Sequence, residues 1–509
     1  MTMNRRDMLQ WIGGACSAVA LTKLGTAQNS AVLFEGTRQS LQRYSIPDWF
    51  RDAKFGIWSH WGPQSAIEAG DWYARNMYVQ GQGQYNYHLE HYGHPSKVGY
   101  KDLVDDWKAA RWDPEHLMSL YKKAGAKYFV SMGVHHDNFD LWDSKYTRWN
   151  AVKMGPKKDV VGMWRDAARN QGLRFGVSEH LWISYKWFAV SHGSDKTGPL
   201  AGVPYDGVDP KFEDLYHDAD CARLVDKLDW NDDDIPESWK KHYLDRMTDL
   251  IDNYQPDLLY TDGHLPFEDY GLKMVSHLYN VSAQRNGKVE AVYNSKNSVD
   301  CAIGTCLLDH ERGVADGIAK NPWQTDTCIG EWHYRRGAKY KSSKTVVDLL
   351  VDIVSKNGNL LLNFPLPNSG ELDPEEVKVL EGITEWMAVN SEGIYSSRPW
   401  KIYGEGPSTA TKIVTGNFNE DKQKALTDAD VRFTVKDGRV YAFVMGWSAQ
   451  ASVKALGLAS PQQPGKIRQV SLLGYNGTLR WKQGEDALQV DLPQEKISDI
   501  GLTLKVELA

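Results

Sequence analysis

From about residue 40 to 390, short apolar runs alternate with longer amphipathic segments. The runs fall at 54–59, 127–132, 174–178, 257–261, 290–293, 305–308 and 359–364, and they have the length of strands rather than helices. Between them, apolar residues recur every three or four positions. Trp239, Tyr243, Met247, Leu250 and Tyr254 do so before Pro256, and Val346, Val347, Leu350 and Val354 do so before Gly358. Asp113-Pro114 supplies a helix N-cap and a first-turn proline, and Gly125 closes that helix. Regular strand–helix alternation calls for a parallel sheet, and this many units predicts a (β/α)8-like barrel over 28–396. The period changes after Pro399. Runs at 431–435, 440–445, 467–473 and 488–492 alternate without helical segments, which predicts a C-terminal β-sandwich over 397–509. Asp437-Gly438 and Asn476-Gly477 stand between such runs as hairpin signals.

Two segments lie outside this pattern. Asn4-Arg5-Arg6-Asp7-Met8-Leu9, an apolar stretch over 11–24 and the small residues Gly25-Thr26-Ala27 have the form of a twin-arginine export signal spanning 1–27. The expected destination is the periplasm or the outside of the cell. No other stretch is long and apolar enough to cross a bilayer, so no membrane contact is expected after signal removal. The second segment, 191–236, is polar and too long for an ordinary connection. It follows a strand, which places it at the rim of a barrel pocket. Its Asn231-Asp232-Asp233-Asp234 run lacks the spacing of a calcium loop and reads as a solvated acidic turn.

The formal charge of -7 argues against nucleic acid as a partner. Twenty tryptophans and 25 tyrosines suit a carbohydrate site, where flat rings pack on sugar faces, and equally suit a large core. Cys221, Cys301, Cys306 and Cys328 have no metal-ligand spacing. A protein folded before export, in a reducing cytoplasm, is expected to keep them as free thiols.

The chemistry collects where strands end. Leu258-Leu259-Tyr260-Thr261-Asp262-Gly263 places a carboxylate just past a short buried strand, where the active site of a barrel lies, and Gly263 leaves room beside it. The first strand ends at His60, with Asp71-Trp72-Tyr73 following, and the second at His135-His136-Asp137-Asn138. Imidazoles, indoles and a carboxylate in this combination suit a compact polyhydroxylated ligand. The rival is a metal held by His135, His136 and Asp137. Neighbouring side chains on a strand face opposite ways, so the pair would need a bend to share an ion. No metal and no cofactor are expected.

These motifs resemble the α-L-fucosidases of glycoside hydrolase family 29. The likeness runs from about 49 to 400 and includes Lys158-Asp159-Val160-Val161-Gly162, Gly358-Asn359-Leu360-Leu361-Leu362-Asn363 and Arg398-Pro399-Trp400. It implies a barrel followed by a sandwich, and a retaining exo-α-L-fucosidase that frees terminal α-L-fucosyl residues through a covalent fucosyl-enzyme intermediate. By the same resemblance Asp262 is the nucleophile. His60, Asp71, Trp72, His135, His136 and Tyr260 hold the sugar, and Trp332 packs near its methyl group. The acid/base is expected at Glu311, with Glu179 as rival and Asp316 third. Departures from the family pattern are Asp71 for Glu, Asn138 for Gly, Ser178-Glu179-His180 for an aromatic pair, and Lys296 for Arg.

Two alternatives stand beside this reading: an α-L-galactosidase-like hydrolase on the same scaffold, and a fucose-binding protein without catalysis. The expected partner is a fucosylated oligosaccharide or polysaccharide. His333, Arg335, Arg336, Lys339, Lys341 and Lys344 form a basic run read two ways, as a solvated turn or as a contact for a sulfated acceptor. The sandwich is expected to brace the barrel rather than bind glycan.

Overall fold

Eight parallel strands form the first sheet of the computed structural model, which describes residues 33–302, 304–411 and 413–509. They are β1 Phe55–Ser59, β2 Tyr128–Val134, β3 Arg174–Glu179, β4 Leu258–Thr261, β5 Val292–Ser295, β6 Leu307–Leu308, β7 Trp323–Cys328 and β8 Gly358–Asn363. Their order is β6-β5-β4-β3-β2-β1-β8-β7. Between β6 and β7 the ring closes through a single parallel bridge, Asp309 to Gln324, with the His310 N–H donating to the Gln324 carbonyl at 2.9 Å. The export signal lies outside the described residues, and no helix among those described is long and apolar enough to cross a membrane.

Alternation along the strands divides the apolar residues into two layers. Trp58, Tyr128, Val130, Leu258, Tyr260, Val292, Leu307 and Leu361 fill the barrel interior. Ile57, Phe129, Phe175, Val177, Leu259 and Leu360 face outward into a second core against the helices. The expected helices form where their periodicity placed them. Pro114–Lys123 begins on Asp113, whose carboxylate accepts from the His116 N–H. Glu237–Tyr254 buries Trp239, Tyr243, Met247, Leu250 and Tyr254.

One barrel strand escaped the sequence pattern. β7 reads Trp-Gln-Thr-Asp-Thr-Cys and is fully buried. Two of its polar side chains find partners off the strand: Gln324 is bonded to Tyr128 and Asp309, and Thr325 to the carbonyls of His310 and Gly313. A strand whose polar side chains serve a site carries no hydrophobic signature.

The C-terminal part has a five-stranded sheet, β13-β16-β11-β10-β9, and a three-stranded one, β12-β15-β14. The strands are β9 Arg398–Glu405, β10 Val431–Lys436, β11 Arg439–Val444, β12 Gln450–Val453, β13 Ile467–Leu472, β14 Arg480–Gln483, β15 Leu488–Asp491 and β16 Leu502–Leu508. Asp437 and Gly438 form a two-residue turn with φ of 49° and 73°, closing the Lys436–Arg439 pair as the sequence predicts. The Asn476-Gly477 expectation is corrected. This dipeptide joins β13 of one sheet to β14 of the other, and those strands do not pair. Local turn chemistry registers a reversal but not which sheet the chain re-enters.

The sandwich has an apolar core of its own, including Trp400, Phe433, Val444 and Leu504, and its other face packs on the barrel domain. Tyr441, Phe443 and Met445 join the main apolar cluster, Trp386 Nε1 donates to the Gly501 carbonyl at 3.2 Å, and the Thr503 hydroxyl donates to Asn390 Oδ1 at 2.7 Å. The free-thiol expectation is also corrected in part. Cys301 and Cys306 form a disulfide, while Cys221 and Cys328 are free and buried. The chain turns back between the helix Ser298–Ala302 and β6, bringing the two Cα atoms within 4.8 Å.

Candidate active site

Five consecutive strands each deliver the residue immediately after their last one to the same place. His60 follows β1, His135 follows β2, His180 follows β3, Asp262 follows β4 and Lys296 follows β5. Backbone bonds to neighbouring strands fix them: the Asp262 N–H donates to the Glu179 carbonyl at 3.1 Å, and the His180 N–H to the Val134 carbonyl at 3.0 Å. Together with Trp58, Asp71, Trp72, Trp182, Trp230, His264, Glu311, Asp326, Trp332, Asn417 and Phe418 they line a cavity of about 470 Å³. That size fits one sugar with room at the mouth.

Asp262 is the most heavily surrounded group. Lys296 Nζ lies 2.5 Å from its Oδ1, His180 Nδ1 3.1 Å and His136 Nε2 3.4 Å from its Oδ2. His136 Nδ1 donates to the His180 carbonyl at 2.6 Å, so its Nε2 donates to Asp262 only as an imidazolium. Burial opposes ionisation of Asp262, but Lys296 and the two histidines outweigh it and hold the carboxyl well below its usual range. Trp182 Nε1 donates to the Asp262 carbonyl oxygen at 2.7 Å. Gly263 lines the cavity as well, with φ of 131°, and a Cβ there would meet this indole at 2.8 Å, so only glycine fits between the two.

Glu311 stands across the cavity. Its Oε2 lies 2.5 Å from the same Lys296 nitrogen. Burial, with the charges of Asp326 and Asp262, outweighs Lys296 and pushes the Glu311 carboxyl up to about 7. Asp262 is therefore ionised at a pH where Glu311 still holds its proton in a substantial fraction of molecules, the pattern expected of a nucleophile and an acid. Behind them, Asp326 accepts from the Tyr260 hydroxyl at 2.9 Å. Asp309, pressed against Asp326, is driven well above the usual carboxylate range by burial and by that neighbour.

The rival acids lie elsewhere. Glu179 is fully buried, accepts from Tyr243 at 2.8 Å and from the Leu181 N–H at 3.0 Å, and does not line the cavity. Asp316 is exposed and does not line the cavity, and its N–H donates to the Thr415 hydroxyl.

The remaining expected sugar contacts fall into two groups. His60, Asp71, Trp72, His135 and Trp332 line the cavity, whereas His136 and Tyr260 stand one layer behind it, acting on Asp262 and Asp326. His60 is 2 % exposed and neither ring nitrogen has a protein partner. Gln64 donates to His135 Nδ1 at 2.9 Å, which leaves the Nε2–H of that ring to point elsewhere. Burial, with neighbouring histidines, lowers both rings well below the usual imidazole range, so they present neutral donors and acceptors. Trp72 takes a left-handed backbone, φ 62°, a strained conformation at the site.

Several functional residues were missed. His180 obeys the same strand-end rule as His60 and was legible from it. His333, whose Nδ1 donates to Asp71 at 2.6 Å, sat inside a run read as basic surface. Asp326 lay on the unrecognised strand. Asn417 and Phe418 come from the C-terminal part and have no local signal.

Other expectations resolve locally. Asn138 has φ of 62°, which explains why glycine suits that place, and asparagine tolerates it. The rival metal trio does not form, because Asp137 turns away to accept from the Tyr100 hydroxyl at 2.6 Å. The alternation argument against it also fails, since β2 ends at Val134 and both histidines follow it. His60, Asp71, His135 and His333, and separately His135, His136 and His180, are grouped closely enough to hold an ion. In the basic run, Arg335 pairs with Glu331, Arg336 with Glu68, Lys341 with Glu420 and Lys344 with Asp348, while His333 is buried. The acidic run is equally committed: Asp232 accepts from His264 and from the Phe267 N–H, and Asp234 pairs with Arg223.

Comparison with known proteins agrees with this geometry. A family model described as alpha-L-fucosidase matches residues 20–392, and one described as alpha-L-fucosidase C-terminal domain matches residues 423–507. The human tissue alpha-L-fucosidase is 27% identical over 468 residues, 89% of this chain and 87% of the relative. The human plasma alpha-L-fucosidase is 27% identical over 486 residues, 92% of this chain and 90% of the relative. A crystal structure of Thermotoga maritima alpha-fucosidase in complex with fucose superposes with a TM-score of 0.68 at 26% identity, covering 93% of this chain and 99% of that one.

Proposed function

This chain belongs to the α-L-fucosidase family of glycoside hydrolases, and on that premise we propose that it frees terminal α-L-fucosyl residues from glycans with retention, Asp262 acting as nucleophile and Glu311 as general acid/base. The observation that carries the assignment is the shared ammonium. One Lys296 nitrogen stands 2.5 Å from an oxygen of each carboxylate, so those oxygens are at most twice that distance apart. Retaining glycosidases hold their two carboxyl groups about 5–5.5 Å apart, close enough for direct attack, whereas inverting ones leave room for a water.

The sequence of events follows from the charges. Ionised Asp262 attacks the anomeric carbon while protonated Glu311 gives its proton to the departing oxygen. A fucosyl ester forms on Asp262, and the negative charge passes to Glu311. Lys296 touches both carboxylates, so its ion pair survives the transfer without a large movement. With Asp262 esterified, one of the charges that raised Glu311 is gone. Glu311 then takes a proton from water, which attacks the ester and returns the sugar with its original configuration.

The neutral imidazoles of His60 and His135 suit sugar hydroxyls, and Asp71, oriented by His333, supplies an acceptor. Trp332, with Trp58 at 5.4 Å, forms an apolar corner suited to the methyl group of fucose. Flat indole faces suit that methyl group better than a hydroxymethyl, which favours the fucoside over the α-L-galactoside. Two ionisable groups poised at opposite protonation states disfavour a silent binding protein. Export to the periplasm or beyond is supported by the Arg5-Arg6 signal and by the Cys301–Cys306 disulfide. A sulfated acceptor draws little support from the basic run, whose cations largely hold carboxylates of this chain.

Turnover of aryl α-L-fucoside, α-L-galactoside and β-D-fucoside, with the first-formed anomer followed by NMR, tests the assignment. Fucoside cleavage giving α-L-fucose first is expected. A β-L-fucose first product, or preference for the galactoside, would overturn it.

A further inference from the structure

Phe418 is 64% exposed, yet it lines the catalytic cavity. Its backbone is left-handed, φ 53°, a conformation that costs a bulky residue. The cost is offset by a set of bonds that tie the 414–420 segment to the loop carrying Glu311. The Phe418 N–H donates to the Glu311 carbonyl at 2.7 Å, and the Glu311 N–H donates to Asn417 Oδ1 at 3.1 Å. Next to them, buried Asn419 accepts from the Val314 N–H at 2.8 Å and donates to the Val314 carbonyl at 3.2 Å and the Val414 carbonyl at 2.8 Å. The N–H groups of Asn419 and Glu420 both donate to the Arg312 carbonyl, at 3.1 and 2.9 Å. The segment is thus held firmly while its one aromatic ring is left out of the core.

Position decides what that ring meets. The general acid must touch the oxygen that joins fucose to the rest of the glycan, so the departing group leaves past Glu311. Phe418, bonded through its N–H to the Glu311 carbonyl, lines the same cavity. The cavity's exposed indole, Trp230, is already engaged with other rings, those of Trp72, Trp182 and His136. An exposed phenyl ring beside the acid presents a flat apolar face, the surface on which the C–H face of a pyranose packs.

We propose that Phe418, supplied by the C-terminal part of the chain, is the platform for the first sugar of the leaving group and selects glycan over small aglycones. The proposal rests on the fucosidase reading above. It gives the C-terminal part a part in specificity besides bracing.

The test compares the wild type with Phe418→Ala and Phe418→Trp on two substrates, a neutral α-L-fucosyl disaccharide and methyl α-L-fucoside, whose leaving group also needs the proton of Glu311 but has no ring. Phe418→Ala is expected to lower kcat/KM for the disaccharide about tenfold more than for the methyl fucoside, and Phe418→Trp to restore most of that difference. Equal losses on both substrates would mean that the residue only supports the Glu311 loop, and no loss on the disaccharide would mean that the ring meets nothing; either overturns the proposal. A wild type inactive on both fucosides would instead sink the fucosidase reading, and the platform with it.

Discussion

The Lys296 ammonium lies 2.5 Å from Asp262, at the place where the family resemblance calls for an arginine. A single nitrogen there also reaches Glu311, so one cation holds Asp262 ionised and restrains the rise of Glu311. Lys296→Met removes it. Asp262 then loses its largest stabilising charge and protonates at higher pH, and Glu311, freed from the same cation, also titrates higher. Both limbs of the pH–rate profile are expected to move up by about one pH unit or more. A thermal melt checks folding, and an unmoved profile in a folded variant counts against the shared-cation account.

Asp262→Ala and Asp262→Asn should lower kcat by several orders of magnitude with folding intact. Azide is expected to restore turnover of the Ala variant and to yield the β-fucosyl azide, because the small anion enters from the nucleophile's face. A fluorinated fucoside that traps the intermediate should label Asp262 in the wild type. Label found on another residue removes the assignment.

Glu311 must carry its proton to act as acid, and its carboxyl sits at about 7. Activity is therefore expected to be sustained below that pH and to fall as pH rises through it, while the acid limb, set by Asp262, lies well below the ordinary carboxylate range. Glu311→Ala should abolish the basic limb. It should also cut turnover of oligosaccharides far more than of aryl fucosides, whose leaving groups need little protonation. Equal cuts on both would assign Glu311 a structural role.

The histidines around the cavity are assigned to sugar hydroxyls, although their grouping would also admit an ion. Prolonged chelation should leave activity unchanged, and elemental analysis of the purified protein should find no stoichiometric metal. Activity lost to a chelator and regained with a divalent ion would reverse the assignment.

Thiol titration in denaturant is expected to count two thiols among Cys221, Cys301, Cys306 and Cys328 before reduction and four after it. A count of four without reductant would show that the bridge does not form.

The sequence alone determined the architecture and the place of Asp262 at a strand end facing the cavity. Period is a local property, so strand–helix alternation gave the barrel, the change after Pro399 gave the sandwich, and Asp437-Gly438 gave a turn with both φ values positive. The strand-end rule placed His60, His135 and Asp262, because a barrel exposes the C-terminal ends of its strands to one pocket. Tertiary structure decided the rest. In sequence Glu311 was preferred to Glu179 only by its place along the chain; packing buries Glu179 against Tyr243 and turns Glu311 toward Lys296. β7 was illegible because its side chains are polar and find partners off the strand rather than along it. Asn476-Gly477 was misread because a turn does not reveal which sheet follows. Phe418 reaches the cavity 107 positions after Glu311 in sequence, held there by backbone bonds that no local pattern encodes. Periodicity records what each residue does to its near neighbours, whereas a site is made by groups that meet only once the chain has closed.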